Sequence, residues 1–237
     1  MALVIKIGGH LISSGGEIDI DSMKSIAKTL MEAYQGDEKW VVVVGGGDGA
    51  RKYIDAARAA GADEATCDSI AIAITRVHAM IFIQFLQPHA HPTVPTDLDY
   101  LKEALSVSRM VVVGGLWPGQ STFAVAALCA QAARANRMIV ATDVDGIYDS
   151  DPRVNPNARR LRVADYDTVK RLLLNTSHAA GAYKLIDSVG LSVAERSRMR
   201  LLFVNGRDRE MLKAAILRDE AGTVVTAEGR QRREHLE

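Results

Sequence analysis

Four apolar runs rich in Val and Ile end in glycine. Residues 3–7 run into Gly8-Gly9, 40–44 into Gly45-Gly46-Gly47, and 110–113 into Gly114-Gly115. The fourth, 138–142, passes through Asp143-Val144-Asp145 into Gly146. Segments of helical period lie between them. Met23, Ile26, Ala27, Leu30, Met31 and Tyr34 recur at helical spacing, which predicts a helix opened by Asp21 or Ser22 and stopped at Gly36. The same pattern predicts helices over 48–60, 63–86, 96–106 (capped by Thr96), 121–135, 164–174, 188–197 and 209–217. Further strands are expected at 200–204 and 223–226, and a short one at 93–94. Continuously apolar strands alternating with helices belong to a largely parallel sheet covered on both faces. The expected fold class is α/β, a three-layer αβα sandwich with a mainly parallel central sheet. No internal repeat or low-complexity linker divides the chain, so one domain is expected over 1–229, with 143–182 as an accessory lobe or flap. Residues 230–237 read as a polar tail in which Leu236-Glu237 resembles a remnant of cloning.

Composition narrows the functional classes. The 237 residues carry 29 Lys plus Arg against 29 Asp plus Glu, a formal net charge of zero, so non-specific nucleic-acid binding is not expected. Hydrophobic residues make up 48%, which supports an ordered core. Cys67 and Cys129 are too far apart for a paired-thiol motif and read as buried small groups; neither a disulfide scaffold nor a zinc site is expected. The N-terminus lacks a signal-peptide pattern. The apolar stretch at 63–86 is interrupted by Arg76, His78 and Gln84, so no membrane span and a cytoplasmic location are expected.

In a parallel sheet the glycine clusters gather on the edge formed by the C-terminal strand ends, where ligands bind. Glycine lets backbone N–H groups approach an anion, and a following helix N-terminus adds partial positive charge. One such turn is weak evidence. Several on one edge point to an extended oligophosphate, or to two phosphorylated ligands meeting end to end. Lys6 lies on the first strand, where a cation either reaches a binding mouth or snorkels to the edge. Arg51 lies about one turn into the helix after Gly47. No GxxxxGK[ST] motif is present, which excludes a P-loop. Gly45 to Ala50 fits G-x-G-x-x-[GA], the signature of a dinucleotide-binding oxidoreductase. That rival is discounted because the turn follows the second strand and no strand with an acidic end lies about 20 residues on.

The segments IKIGG, VVVVGGGDGARKY, GGLWPGQST-x-AVAAL, ATDVDGIYDSDP and AAGAYKLID together resemble the amino acid kinase family, within it the archaeal-type UMP kinase branch, from about residue 3 to 226. The resemblance implies phosphoryl transfer from MgATP to UMP, with Mg²⁺ bound mainly through the ATP phosphates. Lys6 and Arg51 are implied as catalytic cations. Gly9, His10, Gly47 and Arg51 would line the ATP phosphates, and Thr142, Tyr148 and Asp151 the rest of ATP. Gly46, Asp68 and the run Leu116, Trp117, Pro118, Gly119, Gln120, Ser121 and Thr122 would hold UMP. The implied assembly is a homo-oligomer, a hexamer, without nucleic-acid or membrane partners.

Two positions depart from the pattern. His10 stands where a small serine is usual, and Phe123 where many family members carry an aspartate that orients lysines. These departures leave open a nucleotide sensor without turnover, beside a kinase of the same fold acting on another phosphate acceptor such as isopentenyl phosphate. Lys184 reads as a surface lysine or a second phosphate ligand. His78, His89, His91 and His178 lack metal-ligand spacing and read as structural. The helix carrying Met80, Ile81, Ile83 and Phe85 is apolar nearly all round, which fits core or a subunit interface.

Overall fold

The computed structural model describes residues 2–150, 152, 155–176 and 186–228. In chain order the elements are β1 (Ala2–Ile7), β2 (Ser13–Ser14), β3 (Glu17–Ile18), α1 (Ile20–Ala33), β4 (Lys39–Val44), α2 (Gly47–Ala59), α3 (Glu64–Leu86) and α4 (Leu98–Val107). They continue with β5 (Met110–Val113), α5 (Thr122–Ala132), β6 (Arg137–Thr142), β7 (Val163–Asp165), α6 (Tyr166–Thr176), α7 (Ser188–Arg196), β8 (Arg200–Asn205), α8 (Arg209–Arg218) and β9 (Thr223–Thr226).

Seven strands form one sheet in the order β5-β4-β1-β6-β8-β9-β7, and β2-β3 form a small hairpin. The pairs from β5 to β8 are parallel; β9 runs antiparallel to β8 and parallel to β7. The expected mainly parallel α/β sandwich is therefore the observed one. Alternation along each strand divides the core in two. Leu3, Ile5 and Ile7 pack with α1, α3 and α8 on one face, whereas Val4, Val41 and Val43 pack with α4, α5 and α7 on the other. Lys6 shares the face of Val4, which aims it at the layer containing α5 and α7.

Several boundaries differ from expectation because a different acidic side chain caps the helix. Asp19, not Asp21 or Ser22, opens α1 by accepting from the Ser22 N–H and hydroxyl at 2.9 and 2.7 Å. Asp97, not Thr96, opens α4 by accepting from Tyr100 N–H at 2.8 Å. Asp165 accepts from Thr168 N–H at 2.7 Å, so α6 begins only after it. The preceding residues form β7, which joins the main sheet; 143–182 is thus not wholly a separate lobe. Helix α5 stops before 135, where Arg134 adopts a positive φ of 54°. No strand forms at 93–94; Ala90 instead bridges to Met110. The β2-β3 hairpin was not anticipated, since two-residue strands carry no period.

Helix α3 is 23 residues long and its most apolar 18-residue stretch has a mean hydropathy of 1.7, long and apolar enough to cross a membrane. Arg76, His78 and Gln84 therefore do not exclude a span by composition, as had been expected of them. In the fold α3 packs against α2, β4 and β5, with Thr75 and His78 buried.

The first two glycine turns lie directly on each other. A Cβ on Gly9 would stand 2.0 Å from the Gly47 nitrogen; one on Gly47, whose φ is +62°, would stand 2.4 Å from the Gly9 carbonyl oxygen. Backbone meets backbone, so neither side can yield by rotating a side chain. Gly9→Ala should therefore lower the stability by at least about 2 kcal/mol in urea unfolding. Gly36→Ala, with positive φ but open space around it, should cost only about 1 kcal/mol.

Candidate active site

The centre of the candidate site is Lys6. Its side chain is 7% exposed, and its Nζ lies 3.8 Å from where a Cβ on Gly8 would stand, so the amine sits beneath the first glycine turn. Burial pushes its pKa down from the ordinary 10.5 to about 8, and the carboxylates of Asp143 and Asp187 pull it partly back. Asp143 follows β6 directly. Asp187 precedes α7 and caps it, accepting from Gly190 N–H at 2.8 Å. Its other oxygen accepts from the Ser121 hydroxyl. Ser121 Oγ in turn accepts from the N–H groups of Phe123 and Ala124, both at 3.1 Å. The N-termini of α5 and α7 are thereby joined next to Lys6, and both bring partial positive charge to the same edge.

Parallel register brings the other strand ends alongside. Ile7 stands opposite Val44 on one side and Ala141 on the other, and Val43 opposite Val113. Gly9, Gly46 and Gly47, the start of 114–122, and Thr142 therefore share the C-terminal edge with Lys6. No side chain caps α2 at Gly46. Arg51 Nη1 donates to Asp48 Oδ1 at 2.9 Å, and Arg51 Nη2 lies 3.3 Å from His10 Nε2. His10 Nδ1 is 3.5 Å from the same Asp48 oxygen, and Arg207 Nη2 donates to the His10 carbonyl at 3.0 Å. Two side chains, Arg51 and His10, thus share the Asp48 carboxylate beside the interlocked turns, and Arg207 ties the His10 main chain to them. The Gly45 carbonyl accepts from His78 Nδ1 at 3.2 Å; since a carbonyl only accepts, that ring nitrogen carries the proton.

Thr142 is buried, and its hydroxyl is engaged with its own turn, donating to Val144 O and accepting from Val144 N–H. Tyr148 is half-buried and opposite Arg160 in an antiparallel bridge. Asp68 Oδ2 accepts from Gly119 N–H at 2.6 Å. In the loop that follows β5, Leu116 is buried, and Trp117 is 56% exposed; Pro118 and Gly119 are exposed as well. Gln120 has its side-chain oxygen buried without a partner. Ser121 is the N-cap of α5 and Thr122 its first residue. Asp151, His178 and Lys184 lie outside the described residues.

Phe123 is core: it is 2% exposed and packs toward Phe203. The carboxylates facing Lys6 come from elsewhere, from Asp143 and Asp187. Sequence reasoning missed Asp187, although its position before a helical run is a cap signal. What it could not supply was the contact with Ser121, 66 residues away. Asp143 entered the sequence reading only as part of the exit of the fourth strand into Gly146. The dinucleotide reading of Gly45 to Ala50 is overturned, because 64–86 is one helix where the acidic-ended strand would have to lie.

The chain is thus a mainly parallel αβα sandwich with a buried lysine under paired glycine turns. The family model for the amino acid kinase family matches residues 1–205. The uridylate kinase of Hyperthermus butylicus is 38% identical over 94% of this chain and 97% of its own length. That of Thermococcus onnurineus is also 38% identical, over 95% and 99%. The crystal structure of uridylate kinase from Archaeoglobus fulgidus superposes with a TM-score of 0.84 at 34% identity, covering 95% of this chain and all of that one. The chain belongs to the amino acid kinase family.

Below pH 8 the charge on Lys6 is an expense to the fold. The folded-state pKa lies under the unfolded one, so the unfolded chain binds more protons between pH 8 and 10.5. At pH 7 the difference corresponds to roughly 3 kcal/mol of destabilisation. Lys6→Met should therefore stabilise the protein at pH 7 by about 1–3 kcal/mol. In urea unfolding, that gain should shrink as pH rises from 8 towards 10.5 and the wild-type lysine sheds its charge.

Proposed function

We propose that this protein transfers the γ-phosphoryl group of MgATP to UMP, giving ADP and UDP, as a cytoplasmic step of pyrimidine nucleotide synthesis, and that one domain over 1–229 does so. The observation that carries this reading is the buried charge of Lys6 at the sheet edge, beside interlocked glycine turns and under the helix α5 that follows the loop 114–122. The relatives named uridylate kinase, similar over nearly their full length, support it. In this reading Gly9, His10, Gly47 and Arg51 hold the ATP phosphates, and Thr142, Tyr148 and Asp151 hold its nucleoside. Gly46, Asp68 and 116–122 hold UMP; the unpaired Gln120 oxygen is an acceptor that a UMP donor could use.

The attacking atom is an oxygen of the UMP phosphate. It is already anionic near neutral pH, so no general base is required. Its bond to the γ-phosphorus forms as the bond from that phosphorus to the bridging oxygen breaks, and ADP leaves with the electron pair. The residues contribute alignment and charge neutralisation. Protonated Lys6 balances the transferring group, and the N-termini of α5 and α7 add to it. Mg²⁺ takes hard oxygen donors and in such sites sits mostly on phosphates with one or two carboxylates. Asp143, half-buried and beside Lys6, fits as a carboxylate donor, and the metal would supply further neutralisation of phosphate charge.

The same reading includes a homo-oligomer, a hexamer. Helix α3 leaves Val77 and Met80 exposed by 47% and 58%, an apolar face suited to a second copy; light scattering measures the assembly.

The first test incubates the protein with MgATP and, separately, UMP, CMP, AMP, GMP, dUMP and isopentenyl phosphate. Selective UDP formation is the expected result. Turnover of another acceptor would keep the chemistry and sink the UMP assignment; binding without turnover would indicate a sensor. With UMP, kcat/KM should fall as pH rises through about 8, where free Lys6 loses its proton. Asp187→Asn removes a carboxylate that raises the Lys6 pKa while retaining a helix cap, so this alkaline limb should move to lower pH. Lys6→Met should lower kcat by at least about 100-fold.

A further inference from the structure

Arg76 has no part in the roles assigned above. On α3 it shares a face with Asp68, Ile72 and Thr75, and the segment from Gly114 to Gly119 is laid along that face. Asp68 holds the exposed end through Gly119 N–H. At the buried end Thr75 Oγ1 accepts from Gly115 N–H at 2.6 Å. A Cβ on Gly115 would stand 2.9 Å from Ile72 Cγ1, and one on Gly114 would stand 2.7 Å from the Arg76 nitrogen. Arg76 then closes over this contact. Its Nε donates to Gly115 O at 3.0 Å, and its Nη2 to Leu116 O at 3.3 Å and Thr96 O at 3.2 Å. All three acceptors are main-chain carbonyls, two of them consecutive, and they belong to two different segments of the chain. A planar guanidinium can span such a set; an ammonium on a flexible stem cannot.

We propose that Arg76 is the positioning residue of the loop 114–122, and so sets the affinity for the phosphate acceptor without touching it. The inference rests on the reading of that loop as the UMP site. Between Leu116 and Gly119 the loop is exposed at Trp117 and Pro118, so its course depends on the ties at either end. Loss of Arg76 releases the carbonyls of Gly115 and Leu116 and leaves the N–H contacts, Gly115 to Thr75 at the base and Gly119 to Asp68 at the tip, to hold the loop. The interlocked turns at Gly9 and Gly47 do not involve Arg76. The two substrates should therefore respond differently.

The test is steady-state kinetics of full-length wild type, Arg76→Ala and Arg76→Lys, varying UMP and ATP separately. It is combined with hydrogen exchange of the nucleotide-free proteins. In Arg76→Ala, KM for UMP should rise about tenfold or more while KM for ATP changes by less than about twofold; Arg76→Lys should recover only part. Amide exchange in 114–122 should quicken in Arg76→Ala, with β1 and β8 unchanged. Equal increases in both KM values, or unaltered exchange in 114–122, would overturn the proposal. If the wild type makes no UDP, the UMP reading falls, whereas the exchange comparison still decides whether Arg76 holds the loop.

Discussion

A charged amine beneath the first glycine turn is the constraint around which the rest of this sheet edge is arranged. Lys6 sits in a strand whose other residues are wholly apolar, and burial disfavours its charge. Two carboxylates keep the balance near neutrality, and each comes from the end of a different element: Asp143 after β6 and Asp187 before α7. Asp187 is also held by α7 and by Ser121, so the group that supports the lysine is fixed by two helix N-termini. The arrangement leaves a cation poised in a low-dielectric setting, where its effect on an approaching phosphate is stronger than in water.

The glycine turns follow from the same geometry. Parallel neighbours β4, β1 and β6 deliver their C-terminal ends side by side, and the turns after β1 and β4 must pass one another. They pass in backbone contact at Gly9 and Gly47, which leaves no room for a Cβ. His78 from α3 pins the Gly45 carbonyl just behind, and Ser13 accepts from Gly49 N–H at 2.9 Å on the other side. Candidate site groups and packing are thus inseparable here. The buried charge weakens the fold, and the close-packed turns and capped helices around it compensate.

Much of this was legible in the residues. The runs at 3–7, 40–44, 110–113 and 138–142 became neighbouring parallel strands because continuous apolar runs can only be buried on both faces. Glycine clusters marked the edge where the turns pass, because only glycine serves where backbones meet. What escaped was of two kinds. Two-residue strands such as β2 and β3 are too short to carry a period, and Ala164 and Asp165 looked like the start of α6 until the cap at Asp165 separated them. The partners of Lys6 and of the loop after β5 were also hidden. Asp187 and Arg76 reach their targets across long stretches of chain, and a lone Asp before a helix or a lone Arg within one has an ordinary local explanation.

The central place of β1 also matters before the protein is complete. Both its neighbours are made later, with Leu3 opposite Trp40 on one side and Arg137 on the other. During synthesis β5, β4 and β1 can assemble while β1 still lacks β6. For that period an apolar strand forms the open edge of a partial sheet, the arrangement most prone to pair with another nascent chain. An inward-pointing charge on such an edge discourages that pairing. Lys6 occupies this position on the emerging polypeptide well before Asp143 and Asp187 exist beside it, so until β6 is made the open edge carries an inward-pointing charge.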